Sequence, residues 1–447
     1  MKNKFYNIRI EFIFLIIAIT IGISFVFITP PFQSPDEPAH FYRSYQISEF
    51  KLLEQKQQNQ IGGYIPSSII KTIRNICKQG MEDHPQKKQS VGIIPPLLKA
   101  PLNRNSKTFV PFENTATYFP ILYLPQSIGI LIGRVLNFSP LMLMYIGRIF
   151  NLTSWCFITF LAIKIIPFGK RLIFLLALAP MTIFQAASLS ADGVINSLAF
   201  LLISIFIKFA FDKRKSVFKK DIILIFTISI ALALCKQSYF IISLLYLLIP
   251  IKKIGDKKKY YLIFISIVLS NIFVILAWTY FTKYAICILQ YRPNVSIKKQ
   301  LLYILNDPFK YIQIIGKTFY VYWHNYITEW VGQLGWLDTT LPPDSIKLFI
   351  LMLIFTALTD SKVDINIDIN KKIIIFVTLI LELILIVSLI YLSYNAVGSP
   401  YIAGVQGRYF IPLGPLLGFL LYNRFCCIKG NKIKWVTSAF SVIFLIV

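Results

Sequence analysis

The stretch MKNKFYNIRIEFIFLIIAITIGISFVFITPPF, residues 1–32, decides the fold class because its middle is an unbroken apolar run. About 20 such residues form a helix long enough to cross the hydrocarbon core of a bilayer. No small-x-small cleavage site follows the run, which favours a retained first helix over a cleaved signal peptide. Lys2, Lys4 and Arg9 precede it, and basic residues collect on the cytoplasmic side of membrane proteins. We therefore expect a cytoplasmic amino terminus.

The composition of the whole chain extends this expectation. Of its 447 residues, 56% are hydrophobic and 15% are charged, with a mean hydropathy of +0.65, which is typical of a polytopic membrane protein. The net charge of +26 does not indicate nucleic-acid binding, because the basic residues form short clusters between apolar runs. The cysteines show no metal-binding spacing, and at most one disulfide, between Cys77 and Cys287, fits the predicted topology.

The alternation of basic clusters and apolar runs predicts an all-α, polytopic transmembrane protein with about 11 spans, in the range of about 10–13. We expect residues 1–447 to form one membrane-embedded domain. The predicted spans are 8–29, 141–163, 172–189, 193–210, 221–235, 238–251, 260–283, 346–359, 373–394, 408–424 and 434–447.

One further apolar segment, ATYFPILYLPQSIGILIGRVLNF at 116–138, does not fit the alternation. If it crossed the membrane, every later basic cluster would lie outside, and Pro120 and Pro125 interrupt its helix. We predict that it lies in the outer interface, or enters the membrane and returns. Two long extracytoplasmic segments result, at 30–140 and 284–345.

These two outer segments are predicted to differ in order. The middle of the first, from KLLEQKQQNQIGG to MEDHPQKKQS, is polar and is expected to be loosely ordered. The second contains NDPFKYIQIIGKTFYVYWHNYITEW, which has the pattern of an amphipathic helix. Asn306 or Asp307 is its expected cap, with Pro308 in the first turn.

The motif SPDEPAHFYR, residues 34–43, follows the first span and carries two adjacent carboxylates. One interpretation is a capping box, in which Ser34 and Glu37 begin a helix under the membrane surface. That interpretation gives Asp36 and His40 no structural role, and on a helix these two share one face. We therefore predict that both side chains contact one ligand, with Asp36 as general base or metal ligand.

A second acidic motif, LSADGVINS, places Asp192 between two predicted spans. Asp192 could serve only as the N-cap of the second of these helices. However, it is predicted to emerge on the same side of the membrane as Asp36. Two carboxylates that converge there suit a divalent cation such as Mg²⁺ or Mn²⁺, or an acceptor hydroxyl.

Basic residues at outer helix ends break the positive-inside trend. Lys236 in ALCKQSYF and Arg408 in GVQGRYFIP each need a partner, and a phosphate at the headgroup level would supply one. The alternative is that they only snorkel to the interface. Tyr409 follows Arg408 directly, and Arg148 in YIGRIFN lies slightly deeper; both are predicted to join the substrate contacts.

The stretch EWVGQLGWLDTTLPP contains a candidate sugar platform. Trp330 and Trp336, with Glu329 and Asp338, suit this role because indole faces stack on the C–H faces of pyranose rings. The alternative is an aromatic belt at the membrane interface.

Glu382 lies midway along LILELILIV, inside a predicted span. A carboxylate at such a depth is costly, which makes it a functional candidate. The sequence indicates no partner for it.

Four motifs, SPDEPAHFYRSYQI, LAPMTIFQAASLSADGVINSLAFL, LGWLDTTLP and GVQGRYFIPL, resemble in this order a bacterial membrane family, domain of unknown function 2142. The resemblance covers nearly the whole chain, and that family is grouped with the GT-C glycosyltransferases. It implies a GT-C-like helical core in the bacterial cytoplasmic membrane, with an active site that faces outward.

The resemblance also implies roles for individual residues. The acidic pair of the first outer loop serves catalysis in GT-C enzymes and corresponds to Asp36 and Glu37. A second acidic site, a metal ligand in some members, corresponds to Asp192. The residue that holds the carrier phosphate would be Arg408. Few GT-C motifs contain a histidine at the place of His40, so its role stays open.

The sequence therefore predicts a glycosyltransferase that moves a sugar from a polyprenyl-phosphate donor to an extracytoplasmic glycan, lipid or protein acceptor in cell-envelope polysaccharide synthesis. One alternative is a transporter or flippase for a lipid-linked saccharide, which more often shows repeats and charges along a membrane path. Another is a non-catalytic protein of envelope assembly. The sequence lacks HExxH, GxSxG, GxGxxG and Walker motifs, which argues against a metalloprotease or a nucleotide-driven pump.

Overall fold

The computed structural model describes residues 8–77, 89–213, 216–282, 294–428 and 430–446. Most of them are helical, which confirms the all-α class. The α-helices are α1 (Ile10–Ile28), α2 (Glu37–Ser48), α3 (Ser67–Cys77), α4 (Ile94–Lys99), α5 (Glu113–Ala116), α6 (Leu124–Val135), α7 (Pro140–Ile165), α8 (Lys170–Ala177), α9 (Pro180–Ala186), α10 (Asp192–Phe211), α11 (Lys219–Cys235), α12 (Lys257–Phe281), α13 (Ile297–Asn306), α14 (Pro308–Gly332), α15 (Pro343–Thr359), α16 (Ile369–Tyr394), α17 (Gly414–Leu421) and α18 (Asn431–Ile446). The 3₁₀ helices are Val91–Ile93, Pro120–Tyr123, Gln237–Leu248, Ile251–Lys253 and Gly407–Leu413, and the strands are β1 (Gln55–Gln57), β2 (Gln60–Pro66), β3 (Lys107–Pro111), β4 (Gln333–Leu334) and β5 (Thr339–Thr340).

Five helices among the described residues are long and apolar enough to cross a membrane, namely α1, α7, α10, α12 and α16. Each coincides with a predicted span, so the polytopic membrane class is confirmed. Helix α10 is the most enclosed of the five, with 89% of its most apolar window buried inside the protein. Asp192, its first residue, therefore stands at the end of the central helix.

Other predicted spans are shorter or interrupted. The segment predicted at 172–189 divides into α8 and α9, and the break falls before Pro180, which has no N–H to continue a helix. The segment predicted at 238–251 contains the 3₁₀ helix Gln237–Leu248. Because a 3₁₀ helix rises about 2.0 Å per residue, its 12 residues reach about 24 Å, compared with about 18 Å for an α-helix.

The segment 116–138 folds into short elements, and its predicted place in the outer interface stays a prediction. Its longest element, α6, has 12 residues and covers about 18 Å, short of the roughly 30 Å hydrocarbon core. Asn137, with φ of +56°, then turns the chain into α7. Helix α6 packs against both α2 and α7, so this segment joins the first loop to the bundle.

The first long segment between spans is more ordered than predicted. Strands β1, β2 and β3 form an antiparallel sheet in that order, so the expectation of a loosely ordered chain is wrong for the part that begins with KLLEQKQQNQIGG. Ile61 and Ile65 lie on the face of β2 that packs against the interior, with exposures of 1% and 0%. The other part of that prediction, at 81–88, and Cys287 of the predicted disulfide lie outside the described residues.

The amphipathic helix of the second long segment is confirmed as α14. Asp307 is its N-cap, and the Asp307 carboxylate accepts a hydrogen bond from the Lys310 N–H at 2.9 Å. Pro308 occupies the first turn, where its missing N–H costs nothing. After α14, strands β4 and β5 form a short hairpin that carries LGWLDTT.

We predict that the two ends of α15 lie on opposite sides of the membrane. The 17 residues of this helix rise about 26 Å, from exposed Asp344 to a loop that contains exposed Lys362. With the native cysteines replaced, Asp344→Cys should react with an impermeant maleimide on intact cells, and Lys362→Cys only after permeabilisation. Labelling of both from one side, or the reverse pattern, would contradict the predicted orientation.

Candidate functional site

A fully buried ion pair joins the first loop to the helix bundle. Glu37 and Arg148 have exposures of 0%, with Arg148 Nη2 2.6 Å from Glu37 Oε2 and Arg148 Nε 2.8 Å from Glu37 Oε1. Arg148 also donates to the carbonyl oxygens of Val26, Thr29 and Pro30, at the end of α1 where carbonyls lack intrahelical partners. All five N–H groups of the guanidinium are thereby used.

Glu37 also holds the loop that precedes Asp192. The Leu189 N–H donates to Glu37 Oε1 at 3.0 Å, so this carboxylate connects the start of α2, helix α7 and the start of α10. The capping-box interpretation is wrong, because Ser34 Oγ is buried without a hydrogen-bond partner among the described residues and the Glu37 carboxylate turns towards Arg148.

The burial of this pair changes the roles predicted for Glu37 and Arg148. The family resemblance implies a catalytic Glu37, and the sequence predicts a substrate contact at Arg148. Both side chains are sealed from solvent and hydrogen-bonded to protein groups. The structure therefore gives them a positioning role instead.

Asp36 sits immediately before α2 in a left-handed backbone conformation, with φ of +59°. Aspartate tolerates this conformation better than most residues, and such strained positions concentrate at functional sites. The Asp36 side chain does not cap the helix. Instead, Asn114 Nδ2 donates to Asp36 Oδ1 at 2.8 Å, which orients the carboxylate without neutralising it.

His40 lies one turn further along α2 and is 6% exposed. Its Nδ1 is 2.8 Å from the Tyr123 hydroxyl oxygen. Burial lowers the pKa of His40, and the charges of Asp36 and Asp192, which favour protonation, offset this only in part. We therefore expect a neutral imidazole at pH 7.

Asp192 uses its carboxylate for contacts between segments rather than as a helix cap. Its backbone N–H donates to Ser190 Oγ at 3.2 Å, so the alternative in which Asp192 is the N-cap is wrong. Gln185 Nε2 donates to Asp192 Oδ2 at 3.0 Å. Arg408 Nη1 lies 3.4 Å from the same oxygen, which joins two segments that are far apart in the sequence.

Arg408 and Lys236 meet around the ring of Tyr409. Arg408 Nε donates to Gln406 Oε1 at 2.6 Å, and Lys236 Nζ lies 3.8 Å from the centre of the Tyr409 ring, a cation–π contact. The Tyr239 hydroxyl donates to the Tyr409 carbonyl oxygen at 2.8 Å. Burial lowers the pKa of Lys236 to about 8, so the ammonium is still the main form at pH 7.

Six of the predicted residues lie within electrostatic reach of one another, and we call the group the polar cluster. Its members are Asp36, His40, Asp192, Lys236, Arg408 and Tyr409. Asp36 and Asp192 both act electrostatically on His40 and on Arg408, and Asp192 and Arg408 both act on Lys236. The Asp192 side chain is 18% exposed, so the cluster is partly accessible.

The cation that the structure places beside Asp192 is a guanidinium. A divalent cation such as Mg²⁺ or Ca²⁺ takes about six or more oxygen ligands, some of them water. Within the described ranges, no group of three or more His, Cys, Asp or Glu side chains is placed to hold a metal. The metal site of Asp192 with Asp36 stays a prediction, and Arg408 supplies positive charge at this position.

Trp336 and Asp338 lie on the hairpin formed by β4 and β5. Trp336 Nε1 donates to the Phe32 carbonyl oxygen at 3.2 Å, so the indole packs against the loop that leads to Asp36. The Asp338 side chain is exposed and accepts a hydrogen bond from the hydroxyl of the next residue at 3.4 Å. Of these two predicted substrate contacts, Trp336 is the one next to the first loop.

Glu329 and Trp330 contact different parts of the protein, and the four-residue sugar platform stays a prediction. Glu329 accepts a hydrogen bond from the N–H of Gly407, next to Arg408. Gly407 is required here because a Cβ would lie 2.0 Å from the Tyr326 carbonyl oxygen. Burial raises the pKa of Glu329, which the Gly407 N–H and Arg408 partly offset. Trp330 instead lines an apolar groove.

Several residues of the site have no signal in the sequence. Asn114 reaches Asp36 across 78 positions, and no local pattern marks it. Gln185 orients Asp192, and Gln406 orients Arg408. The sequence around these two glutamines carries no motif that marks them. Tyr123 is different, because the predicted interfacial segment already places its ring on the side of the membrane that carries the acidic motif.

Comparison with known proteins identifies the family. The model of a family described as "Predicted membrane protein (DUF2142)" matches residues 19–417. The chain belongs to the DUF2142 family. The match spans every residue of the polar cluster, so the site lies inside the DUF2142 region. Searches of the curated proteins and of the solved structures found no match, and the relation of this DUF2142 protein to GT-C enzymes stays a prediction.

Removing one partner of the buried pair should destabilise the protein strongly. Glu37→Gln leaves the Arg148 charge buried and unpaired, so we expect a loss of about 3–5 kcal/mol. Arg148→Met should cost a similar amount, and the double variant less than the sum of the two. The free energy of unfolding in mixed micelles measures these losses, and Asp344→Asn is the exposed control. Additive losses would contradict the coupling of Glu37 and Arg148.

His40 should make stability depend on pH. Because the folded-state pKa of His40 lies below the usual 6.5, the unfolded chain binds this proton more readily, and stability falls as the pH drops below about 6.5. His40→Gln removes the titrating group and should flatten this loss. Thermal unfolding between pH 8 and pH 5 measures the difference. Parallel curves for the wild type and the variant would rule out this role.

Proposed function

We propose that this DUF2142 protein is an integral membrane glycosyltransferase that uses a polyprenyl-phosphate sugar donor and an extracytoplasmic glycan, lipid or protein acceptor. The observation that carries the proposal is the meeting of Asp36 and Asp192 with Arg408 and Lys236 in one cluster. Transfer from a lipid phosphate needs charge of both signs, since a base must take the proton of the acceptor and cations must receive the leaving phosphate.

Asp36 is the proposed general base. Its carboxylate is half-buried and held by the neutral Asn114 amide rather than by a direct ion pair. The acceptor hydroxyl oxygen forms a bond to the anomeric carbon of the sugar while its proton passes to Asp36. The bond from the anomeric carbon to the phosphate oxygen breaks with its electron pair on the phosphate, and the configuration at that carbon inverts.

Arg408 and Lys236 are the proposed partners of the departing phosphate. The gain of negative charge on the phosphate oxygen strengthens its interaction with both cations, which lowers the barrier to cleavage. Asp192 keeps Arg408 in place through their 3.4 Å contact. Tyr409 holds the Lys236 ammonium over its ring, and His40 stays neutral, so it donates or accepts a hydrogen bond without adding charge.

An apolar groove next to the cluster supports a lipid-linked donor. Its volume is about 340 Å³, and Tyr326, Trp330 and Leu383 are among its apolar lining residues. Phe410, two positions after Arg408, also lines it, and Leu421 of α17 lies further along. An isoprenoid chain in this groove would bring its phosphate to Arg408 without exposing apolar surface to water.

A lipid-linked saccharide transporter is the second candidate, and Glu382 favours it. This residue of α16 is 0% exposed, and it acts electrostatically on Lys236 and Tyr239. Glu382 thus adds an ionisable group at membrane depth beside the cluster, and such groups line the ion paths of transporters. The transferase is favoured because the half-buried Asp36 and the cations sit at one end of the bundle rather than along it.

Asp36→Asn should abolish sugar transfer while leaving the fold intact. We expect the rate to fall by about 100-fold or more, because the amide cannot accept the proton. The measurement is transfer of radiolabel from a polyprenyl-phosphate sugar to a glycan acceptor by the purified protein. Asp344→Asn is the matched control, since that side chain is 94% exposed.

The same assay separates the candidates. Label that moves to the acceptor with the wild type and not with Asp36→Asn supports the transferase. Label that crosses a vesicle membrane still linked to its carrier supports the transporter. Full transfer by Asp36→Asn would remove Asp36 from its proposed role, and a lack of both transfer and transport would favour a non-catalytic protein of envelope assembly.

A further inference from the structure

A polar cavity lies at the end of the bundle opposite the polar cluster. Its volume is about 510 Å³, and its walls are the loop before α8, the loop after α15 and the chain around the start of α18. Lys170 at this cavity lies 3.7 Å from Glu11 in the first turn of α1. The other end of α1 contacts Arg148 through Thr29, about 27 Å away along the helix.

The cavity is lined by three basic side chains, Lys170, Arg171 and Lys362, and by two acidic ones, Asp360 and the exposed Asp364. Asp360 is already engaged, because it accepts from Arg171 Nε at 3.0 Å and from the backbone N–H of Leu172 at 3.2 Å. Burial lowers the pKa of Lys170, and the nearby positive charge of Lys362 adds to this effect, although Glu11 opposes it. Lys170 and Arg171 already have carboxylate partners in Glu11 and Asp360, so an anion in the cavity would bind through donors that remain unsatisfied rather than through an excess of positive charge.

The walls of the cavity also contain donors without partners. Arg171 Nη1 and the Ser361 hydroxyl have no hydrogen-bond partner among the described residues. Arg171 and Ser361 are each 7% exposed, and an unsatisfied buried donor is costly. An acceptor oxygen in the cavity would satisfy both groups after small side-chain adjustments.

The remaining lining residues narrow the class of ligand. Phe168, Val363, Ile428 and Ile433 give the cavity an apolar part beside its basic part. A free inorganic ion cannot make apolar contacts with such a surface, whereas a phosphate ester has both an anionic group and an organic part that can. The cavity also lies where α1 and α15 end, which is the headgroup level of a membrane in which these helices span.

We propose that this cavity binds the phosphate group of a phosphate-bearing anion, either a lipid headgroup or a soluble phosphate ester. Arg171 and Ser361 would donate to the phosphate oxygens, and Lys170 and Lys362 would add charge. By the predicted topology this is the cytoplasmic face. The site is separate from the polar cluster, so the proposal does not depend on sugar transfer.

Binding by the purified full-length protein tests the proposal. The probes are micelles that contain phosphatidylglycerol or the zwitterionic phosphatidylcholine, with lipid retention read by native mass spectrometry, and soluble glycerol phosphate, read by calorimetry. Lys362→Gln removes one cation from an exposed loop position, and we expect about tenfold weaker binding. Lys347→Gln, at the other end of α15 and 71% exposed, is the matched control.

The outcomes separate the two sources. Selective retention of phosphatidylglycerol that Lys362→Gln weakens and Lys347→Gln does not identifies a lipid headgroup. Binding of glycerol phosphate with the same dependence, and without preference between the lipids, identifies a soluble phosphate ester. If neither probe binds, or if Lys362→Gln with an unchanged melting temperature binds both as the wild type does, the proposal is overturned. Sugar transfer by the same samples is read independently.

Discussion

The buried pair of Glu37 and Arg148 is the interaction on which the rest of the structure depends. An arginine with no exposed surface is acceptable only when its charge and its donors are all satisfied. Here the carboxylate supplies the opposite charge, and the end of α1 supplies three carbonyl oxygens. The first loop therefore cannot detach from the bundle without leaving a charge unpaired in an apolar interior.

This constraint explains how two acidic residues far apart in the chain reach one place. Glu37 is adjacent to Asp36, and its Oε1 also accepts from the N–H of Leu189, three positions before Asp192. One carboxylate thus sets the start of both segments. Arg408 then forms an ion pair with Asp192 from a third segment, and the cluster gains its positive charge. Asp36 and Asp192 are partly accessible, whereas the Glu37–Arg148 pair that positions them is sealed.

Local patterns predict the parts of this arrangement that local physics determines. The cap of α14 at Asp307 and the five span-length helices follow from turn chemistry and composition. The charge alternation predicts that Asp36, Asp192 and Arg408 emerge at the same end of the bundle. The pairing of β2 with β3 does not follow from local patterns, because about 40 residues separate the two strands in the chain. The capping-box prediction for Glu37 is wrong for the same reason, because the spacing that suggests it is local, whereas the partner of Glu37 is 111 positions away.

The most direct test of the account is an electron cryomicroscopy structure with a non-transferable polyprenyl-phosphate sugar analogue bound. The account predicts the phosphate about 3 Å from the Arg408 guanidinium, the isoprenoid chain in the groove lined by Trp330 and Phe410, and the anomeric carbon facing Asp36. A phosphate bound away from Arg408, or Asp36 and Asp192 facing separate cavities, would contradict it.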